Sequence, residues 1–209
     1  MHIAIIGAGN VGSALAAAAA AAGHDVILSA TSPQKASTVA EQVGVRAAQS
    51  NADAVSAAEV VVLAVPGSAT VDVARELASA LVGKVVVDAT NPLNATFTDL
   101  EIEKTAAVQS VQDVLPGVPV VKAFNSVFAG RFGSPAEGDG RLDGLYAGDD
   151  SDAKKVVGEL LASLGFRPVD AGGLRMARAL EEMAFLNISL NAGNDWPWQS
   201  GWALLGPTA

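Results

Sequence analysis

The chain has no cysteine and only two histidines among its 209 residues. Without thiols it can form no disulfide, give no thiolate to a metal and carry out no thiol chemistry. His2 and His24 alone are too few for a histidine-rich metal centre, and no metal site is expected. Charge is scarce as well: 17 % of residues are charged, with a net charge of −9. That balance argues against a nucleic-acid footprint, which needs clustered positive surface. Long apolar runs are also missing. The longest, residues 13–22, is mostly alanine, too short to span a bilayer and closed by Gly23. The first residues carry no basic leader and pass straight into a strand pattern. No secretory signal and no membrane contact are therefore expected, and the cytoplasm is the expected compartment.

What the chain does have is a hydrophobic fraction of 50 %, mostly Ala and Val in short runs. This suits a folded domain with its own core, alone or with a small appendix. The runs alternate with helical stretches. Strands are predicted at 3–6, 26–28, 45–48, 60–65, 85–89, 118–123, 142–147 and 166–170. Helices are predicted at 10–22, 32–43, 51–58 (with Asn51 as its cap), 68–81, 108–115, 152–164 and from Gly173 to about 191. Residues 93–117 read as less regular, and 130–141 as the longest loop. Val60–Val65 is apolar throughout, as in a strand buried on both faces of a parallel sheet. The alternation predicts a doubly wound parallel α/β sheet, the Rossmann fold. The expected division is a nucleotide-binding domain over 1–128 and a small C-terminal α/β extension over 129–209.

The first strand ends on Gly7-Ala8-Gly9-Asn10-Val11-Gly12, and the first helix opens inside that turn. Three glycines at this spacing mean little in a chain with 21 of them. Between a strand and a helix they form a dinucleotide-binding turn. The first glycine permits the tight turn, the second lets a pyrophosphate approach the backbone, and the third lets helix and sheet pack closely. Backbone N–H groups at the helix start then face the anion.

The end of the second strand chooses between NAD and NADP. An NAD protein usually places an acid there for the ribose 2′-hydroxyl. Here the stretch is Ser29-Ala30-Thr31-Ser32-Pro33-Gln34-Lys35, with no acid. Two hydroxyls and Lys35 suit a 2′-phosphate. Ser32 could equally be only a helix cap, and Lys35 only a solvated side chain.

The turn at 7–12, VVLAVP at 61–66, DATNPLN at 88–94, KAFNSV at 122–127 and DAGGLRMARALEEM at 170–183 together resemble the F420-dependent NADP oxidoreductases. The resemblance runs in matching order over essentially the whole chain. The reductase domain of the STEAP metalloreductases is similar at the same level. The resemblance implies a small, usually homodimeric oxidoreductase that passes hydride between NADP(H) and coenzyme F420, or a related flavin as co-substrate. Its partner would be a small-molecule electron acceptor or donor. It further implies that Ala8, Gly9, Asn10 and Val11 hold the pyrophosphate and that Thr31, Ser32 and Lys35 meet the 2′-phosphate. Val65 and Pro66 would line the cofactor, and Asn91, Pro92, Ala123, Phe124 and Asn125 would approach the nicotinamide. The family commonly shows Ser-Arg where this chain has Ala30-Thr31.

Hydride transfer needs proximity and exclusion of water rather than an acid–base side chain, so no catalytic residue is expected. His2 and His24 read as structural or exposed. Arg175 and Arg178 lie three apart on one helix face and, with Lys122 or Arg131, could meet an anionic tail of F420. Alternatively Arg178 pairs with Glu181 or Glu182 one turn on. Trp196, Trp198 and Trp202 cluster around Pro197 in a tail that packs on the domain, crosses to a partner subunit or walls the substrate pocket. Two other functions stay open: an NADPH-dependent flavin or ferric reductase, and a redox sensor that binds NADP(H) without turnover.

Overall fold

The computed structural model describes residues 1–101, 106–138 and 140–206. Residues 102–105, within the less regular 93–117 stretch, and 139, within the 130–141 loop, lie outside them. The elements run β1 (His2–Ile6), α1 (Asn10–Ala21), β2 (Asp25–Ser29), α2 (Pro33–Val43), β3 (Arg46–Ala47), α3 (Asn51–Ser56), β4 (Val60–Leu63), α4 (Thr70–Leu77), β5 (Val85–Asp88), α5 (Ala107–Asp113) and β6 (Val120–Ala123). After β6 come β7 (Ala136–Glu137), β8 (Gly140–Arg141), β9 (Asp143–Gly148), α6 (Ser151–Ser163), β10 (Arg167–Asp170) and α7 (Ala177–Gly193).

Eight strands form one sheet in the order β10-β9-β6-β5-β4-β1-β2-β3. From β1 the chain first builds outward through β2 and β3, then returns to β4 on the other side of β1. The order therefore reverses between β1 and β4, and a doubly wound sheet opens its ligand crevice at such a switch point, beyond the carboxyl ends of the strands. All four residues of β4 are fully buried, as its unbroken apolar run predicts. On α1, Leu15, Ala16 and Ala19 are buried, and their small size brings the helix close to the sheet.

The Rossmann fold is as predicted, but the sheet is not parallel throughout. β9 runs antiparallel to β6, with Val121 opposite Gly148 and Ala123 opposite Tyr146. The cause lies in the connection. A parallel neighbour needs a crossover, usually a helix, and the described chain from 124 to 142 supplies only a 3-10 turn (Ala129–Arg131) and the β7–β8 ribbon. It therefore turns back beside β6. The unit β9–α6–β10 then resumes parallel pairing, so the last two strands continue the same sheet in the opposite direction.

Element ends also shift. The cap of α3 is Ser50, whose hydroxyl accepts the Asp53 N–H at 3.0 Å. Asn51 instead accepts the hydroxyl of buried Ser29 at 2.8 Å and so ties the end of β2 to α3. Among the described residues no helix is long and apolar enough to cross a membrane.

Candidate functional site

The glycine turn shows three distinct constraints. Gly7 has φ +119°, and a Cβ there would run into the Ala64 carbonyl just past β4. A Cβ on Gly12 would strike the Gly7 carbonyl. Both glycines are fixed by the protein's own packing. Gly9 differs: a Cβ there would meet nothing within 4 Å. The space beside Gly9 is open, and it lies at the start of α1. No side chain caps that helix, and no acid sits in its first turn. Its backbone N–H groups are left to an external acceptor, and their dipole favours an anion.

At the end of β2, Thr31, Ser32 and Lys35 are all exposed. The Ser32 hydroxyl accepts the Lys35 N–H at 3.2 Å, so it does cap α2. Neither Thr31 nor Lys35 meets a described carboxylate. Lys35 thus stands as an unneutralised cation beside a strand end that carries no acid.

Beyond β4, Val65 and Pro66 share a cavity of about 460 Å³ with Val11 and Asn91. Glu101 is its one described carboxylate. A second cavity of about 560 Å³ starts from Asn10 and Val11 on the glycine turn. It passes Asn91, Phe124, Asn125 and Ser126 and reaches Asn187, Ile188 and Trp198. Two asparagines brace it. The Asn91 amide donates to the Asn125 carbonyl at 2.8 Å, and the Asn125 amide donates to Asn91 Oδ1 and to the Leu180 carbonyl, each at 3.0 Å. Asn125 Oδ1 and Ser126 Oγ are buried without a partner. Orphan polar atoms of this kind are costly, and their place on a cavity wall is where a ligand's polar edge would satisfy them. Of the remaining sequence-derived positions, Ala8 is half-buried in the turn. Pro92 borders a neighbouring cavity, and Ala123 is fully buried within β6.

Behind this wall lies an ion cluster. Lys122 Nζ is 3.0 Å from Asp88 Oδ2 and 2.9 Å from Glu181 Oε1, with all three side chains at most 1 % exposed. Lys122 also donates to the Thr90 carbonyl at 2.7 Å. Of the two carboxylate contacts only that with Asp88 is a well-directed hydrogen bond, for Glu181 Oε1 has no donor aligned to it. Lys122 therefore cannot meet the tail of a ligand as expected, because its ammonium is fully enclosed. Arg131 is also mostly buried, donating to the Ala136 carbonyl at 2.9 Å. Arg178 pairs with Glu182 at 3.5 Å, the alternative expected from its helix spacing. His2 binds Asp25 at 2.9 Å and His24 binds Ser163 at 2.7 Å, both away from the cavities.

Sequence reading missed Phe97, Phe128 and Asn187 on the cavity wall. It missed Gly67 too, where a Cβ would collide with the Asn91 backbone. The Pro66-Gly67 pair carried a signal for the last, since glycine often marks close backbone approach.

A model of the NADP oxidoreductases dependent on coenzyme F420 matches residues 2–92. The F420-dependent NADP reductase of Methanothermobacter marburgensis is 33 % identical, over 93 % of this chain and 94 % of that protein. The chain belongs to the F420-dependent NADP oxidoreductase family. Membership places it among the NADP-dependent oxidoreductases. Metalloreductase STEAP3 of Rattus norvegicus is 29 % identical over 86 % of this chain, but that alignment spans only 35 % of STEAP3. A solved structure from Arthrobacter sp. FB24, provisionally described as an F420-dependent NADP-reductase, superposes with a TM-score of 0.88 at 27 % identity. That match covers 98 % of this chain and 100 % of the other.

Proposed function

We propose that the chain binds NADP(H) along the carboxyl ends of β1, β2, β4, β5 and β6 and passes hydride between it and a planar acceptor of the deazaflavin or flavin class, coenzyme F420 foremost. The observation that carries this reading is continuity. One 560 Å³ cavity joins the phosphate turn, at Asn10 and Val11, to an aromatic-walled chamber ending at Trp198. A dinucleotide whose pyrophosphate rests at Gly9 has its nicotinamide directed into that chamber, beside an acceptor.

NADPH held there would supply a hydride to the acceptor ring. The protein's residues bind, orient and exclude water. The α1 N-terminus and Gly9 receive the pyrophosphate, while Thr31, Ser32 and Lys35 meet the 2′-phosphate. Val65, Pro66 and Asn91 flank the ribose and nicotinamide, and the orphan Asn125 Oδ1 faces the carboxamide side. Residues 1–128 hold the nucleotide, and the 129–209 region supplies the far wall for the acceptor.

The test is anaerobic hydride transfer from NADPH to F420, beside FMN and ferric citrate. F420 or FMN reduction supports the reading. Tight NADPH binding without oxidation by any of the three would make the protein a redox sensor instead. We further propose a homodimer, supported by the resemblance and by the outward face of α7, where Leu186 and Leu190 are 49 % and 38 % exposed. Sedimentation of a monomer at micromolar concentration would remove that proposal.

A further inference from the structure

From Asn194 to Gly206 the chain runs as a strap in which Ser200 and Trp202 are half-buried and every other residue is exposed. It lies between two cavities of about 630 and 490 Å³, both lined by Arg141, Ala203 and Leu205. The strap therefore touches the body at points rather than along its length. Gly201 crosses Leu142 so closely that a Cβ would collide with that side chain. Trp202 packs against the cluster of Leu145, Ala147 and Leu180. A segment with so few buried contacts opens at low cost. Two strap residues, Asp195 and Trp198, also have positive φ, 55° and 59°. Such strain persists only where surrounding contacts hold it.

Asp143 opens β9 and Arg167 opens β10, and the two are register partners on neighbouring parallel strands. Arg167 Nε donates to Asp143 Oδ1 at 2.6 Å and its Nη2 donates to Oδ2 at 2.9 Å. The same pair grips the strap. The Leu204 N–H donates to Asp143 Oδ2 at 2.7 Å, and the Leu204 carbonyl accepts from Arg167 Nη2 at 2.7 Å. Both backbone polar groups of one residue are thus held at once by the opposite charges of a single ion pair. The Asp143 N–H adds a bond to the Trp202 carbonyl at 2.8 Å. The Asp143 side chain is fully buried, and that of Arg167 is 37 % exposed. A carboxylate at that depth depends on each of its donors, and charge-assisted hydrogen bonds to it are stronger than neutral ones.

At its other end the strap meets the site. Asn191 Oδ1 accepts the Trp198 N–H at 3.1 Å, and Trp198 lines the cavity that begins at Asn10 and Val11. We propose that Asp143 and Arg167 form a latch on the Leu204 backbone that keeps the strap closed over this cavity, which makes them positioning residues for its outer wall. Neither residue lines the cavity, and each acts through the strap. When the latch opens, the strap leaves with Trp198 and one wall of the cavity goes with it. A ligand that needs the closed state then binds in proportion to the closed fraction. The inference rests on the hydride-transfer reading above and adds to it the device that sets how readily the cavity closes.

The test compares wild type with Arg167→Met, Leu204→Pro and Leu204→Ala. Arg167→Met breaks the ion pair, whereas Leu204→Pro deletes the N–H that Asp143 accepts and leaves the pair in place. Hydrogen exchange of the Trp198 amide reads opening at the end of the strap far from the latch, with the amides of α6 as reference. Arg167→Met and Leu204→Pro are expected to speed it about tenfold, while Leu204→Ala, which keeps both backbone groups, exchanges as the wild type does. With NADPH saturating, the KM for the acceptor that turns over, F420 or FMN, should rise about tenfold in the first two variants at unchanged kcat and unchanged NADPH affinity. Lost stability alone would not divide KM from kcat in this way. Wild-type exchange at Trp198 in Leu204→Pro overturns the latch, and faster exchange with an unaltered KM overturns the positioning role. A wild type that passes hydride to neither F420 nor FMN would fail the hydride-transfer reading alone, and the exchange comparison would still decide the latch.

Discussion

Lys122 on β6 and Glu181 on α7 approach to 2.9 Å with neither side chain exposed at all. Asp88 on β5 completes the cluster at 3.0 Å, so one ammonium faces two carboxylates out of reach of water. A second Glu181 oxygen accepts the Ala107 N–H at 3.1 Å, joining the start of α5 to the same point. Glu181 follows Leu180, whose carbonyl holds the Asn125 amide. The cluster thus fixes α7 to the sheet one residue away from the wall of the cavity.

Lys122→Met should cost about 3–5 kcal/mol in chemical denaturation, because it strands two buried carboxylates. Adding Glu181→Gln should recover part of that loss, since the stranded charge falls. A double mutant whose destabilisation equals the sum of the single ones would contradict the coupling.

The three glycines of the turn should separate by phenotype. Gly7→Ala and Gly12→Ala should each lose at least about 1–3 kcal/mol of stability through strain and backbone collision. Gly9→Ala should melt as the wild type does, because its Cβ enters open space at φ −86°, and should bind NADPH at least about tenfold more weakly. Unimpaired NADPH binding by a folded Gly9→Ala would remove the pyrophosphate from that space.

Lys35→Glu should lower the preference for NADPH over NADH by about tenfold, as the proposed charge-assisted contact to the 2′-phosphate would be lost. The same substitution should flatten the salt dependence of NADPH binding. An unchanged ratio of the two dissociation constants would leave Lys35 as no more than a solvated side chain.

Asp25 joins the amino ends of three neighbouring strands: it accepts from His2 on β1 at 2.9 Å and from Arg46 on β3 at 2.9 Å. The hydrogen bond with His2, and then that from Arg46, hold its carboxyl below the ordinary value of 3.8. A lowered carboxylate pKa contributes stability above 3.8 that is lost as pH falls through the folded value. Melting temperatures at about pH 5 and pH 3 should therefore converge more closely in Asp25→Asn than in wild type. The effect should be small, as the group is exposed. Identical acid slopes in the two proteins would argue against the pair.

Much of this was legible in the sequence, for physical reasons. Gly7–Gly12 could be placed because strand, turn and helix each leave a local mark. The apolar run before Pro66 declared a strand buried on both faces, and the acid-free end of β2 needed only its composition. Lys122 misled, because a charge in a sequence does not state its depth, and its counter-ions lie 34 and 59 positions away. A signal was present: Lys122 falls inside the apolar run 118–123, where a strand covered on both faces leaves no route to solvent. The reversal of β9 was hidden in a connection whose lack of a helix reads only as a long loop. Of the chamber, Phe124 and the tryptophan tail were legible as candidate pocket residues, whereas Phe97 and Phe128 join them only in space.

The antiparallel turn at β9 decides where the two halves of the chain meet. Because the last two strands run backwards, α7 starts at the amino ends of β1–β6 and travels towards their carboxyl ends, so that Trp198 beyond it comes to the same cavity as Asn10 and Val11 of the first turn.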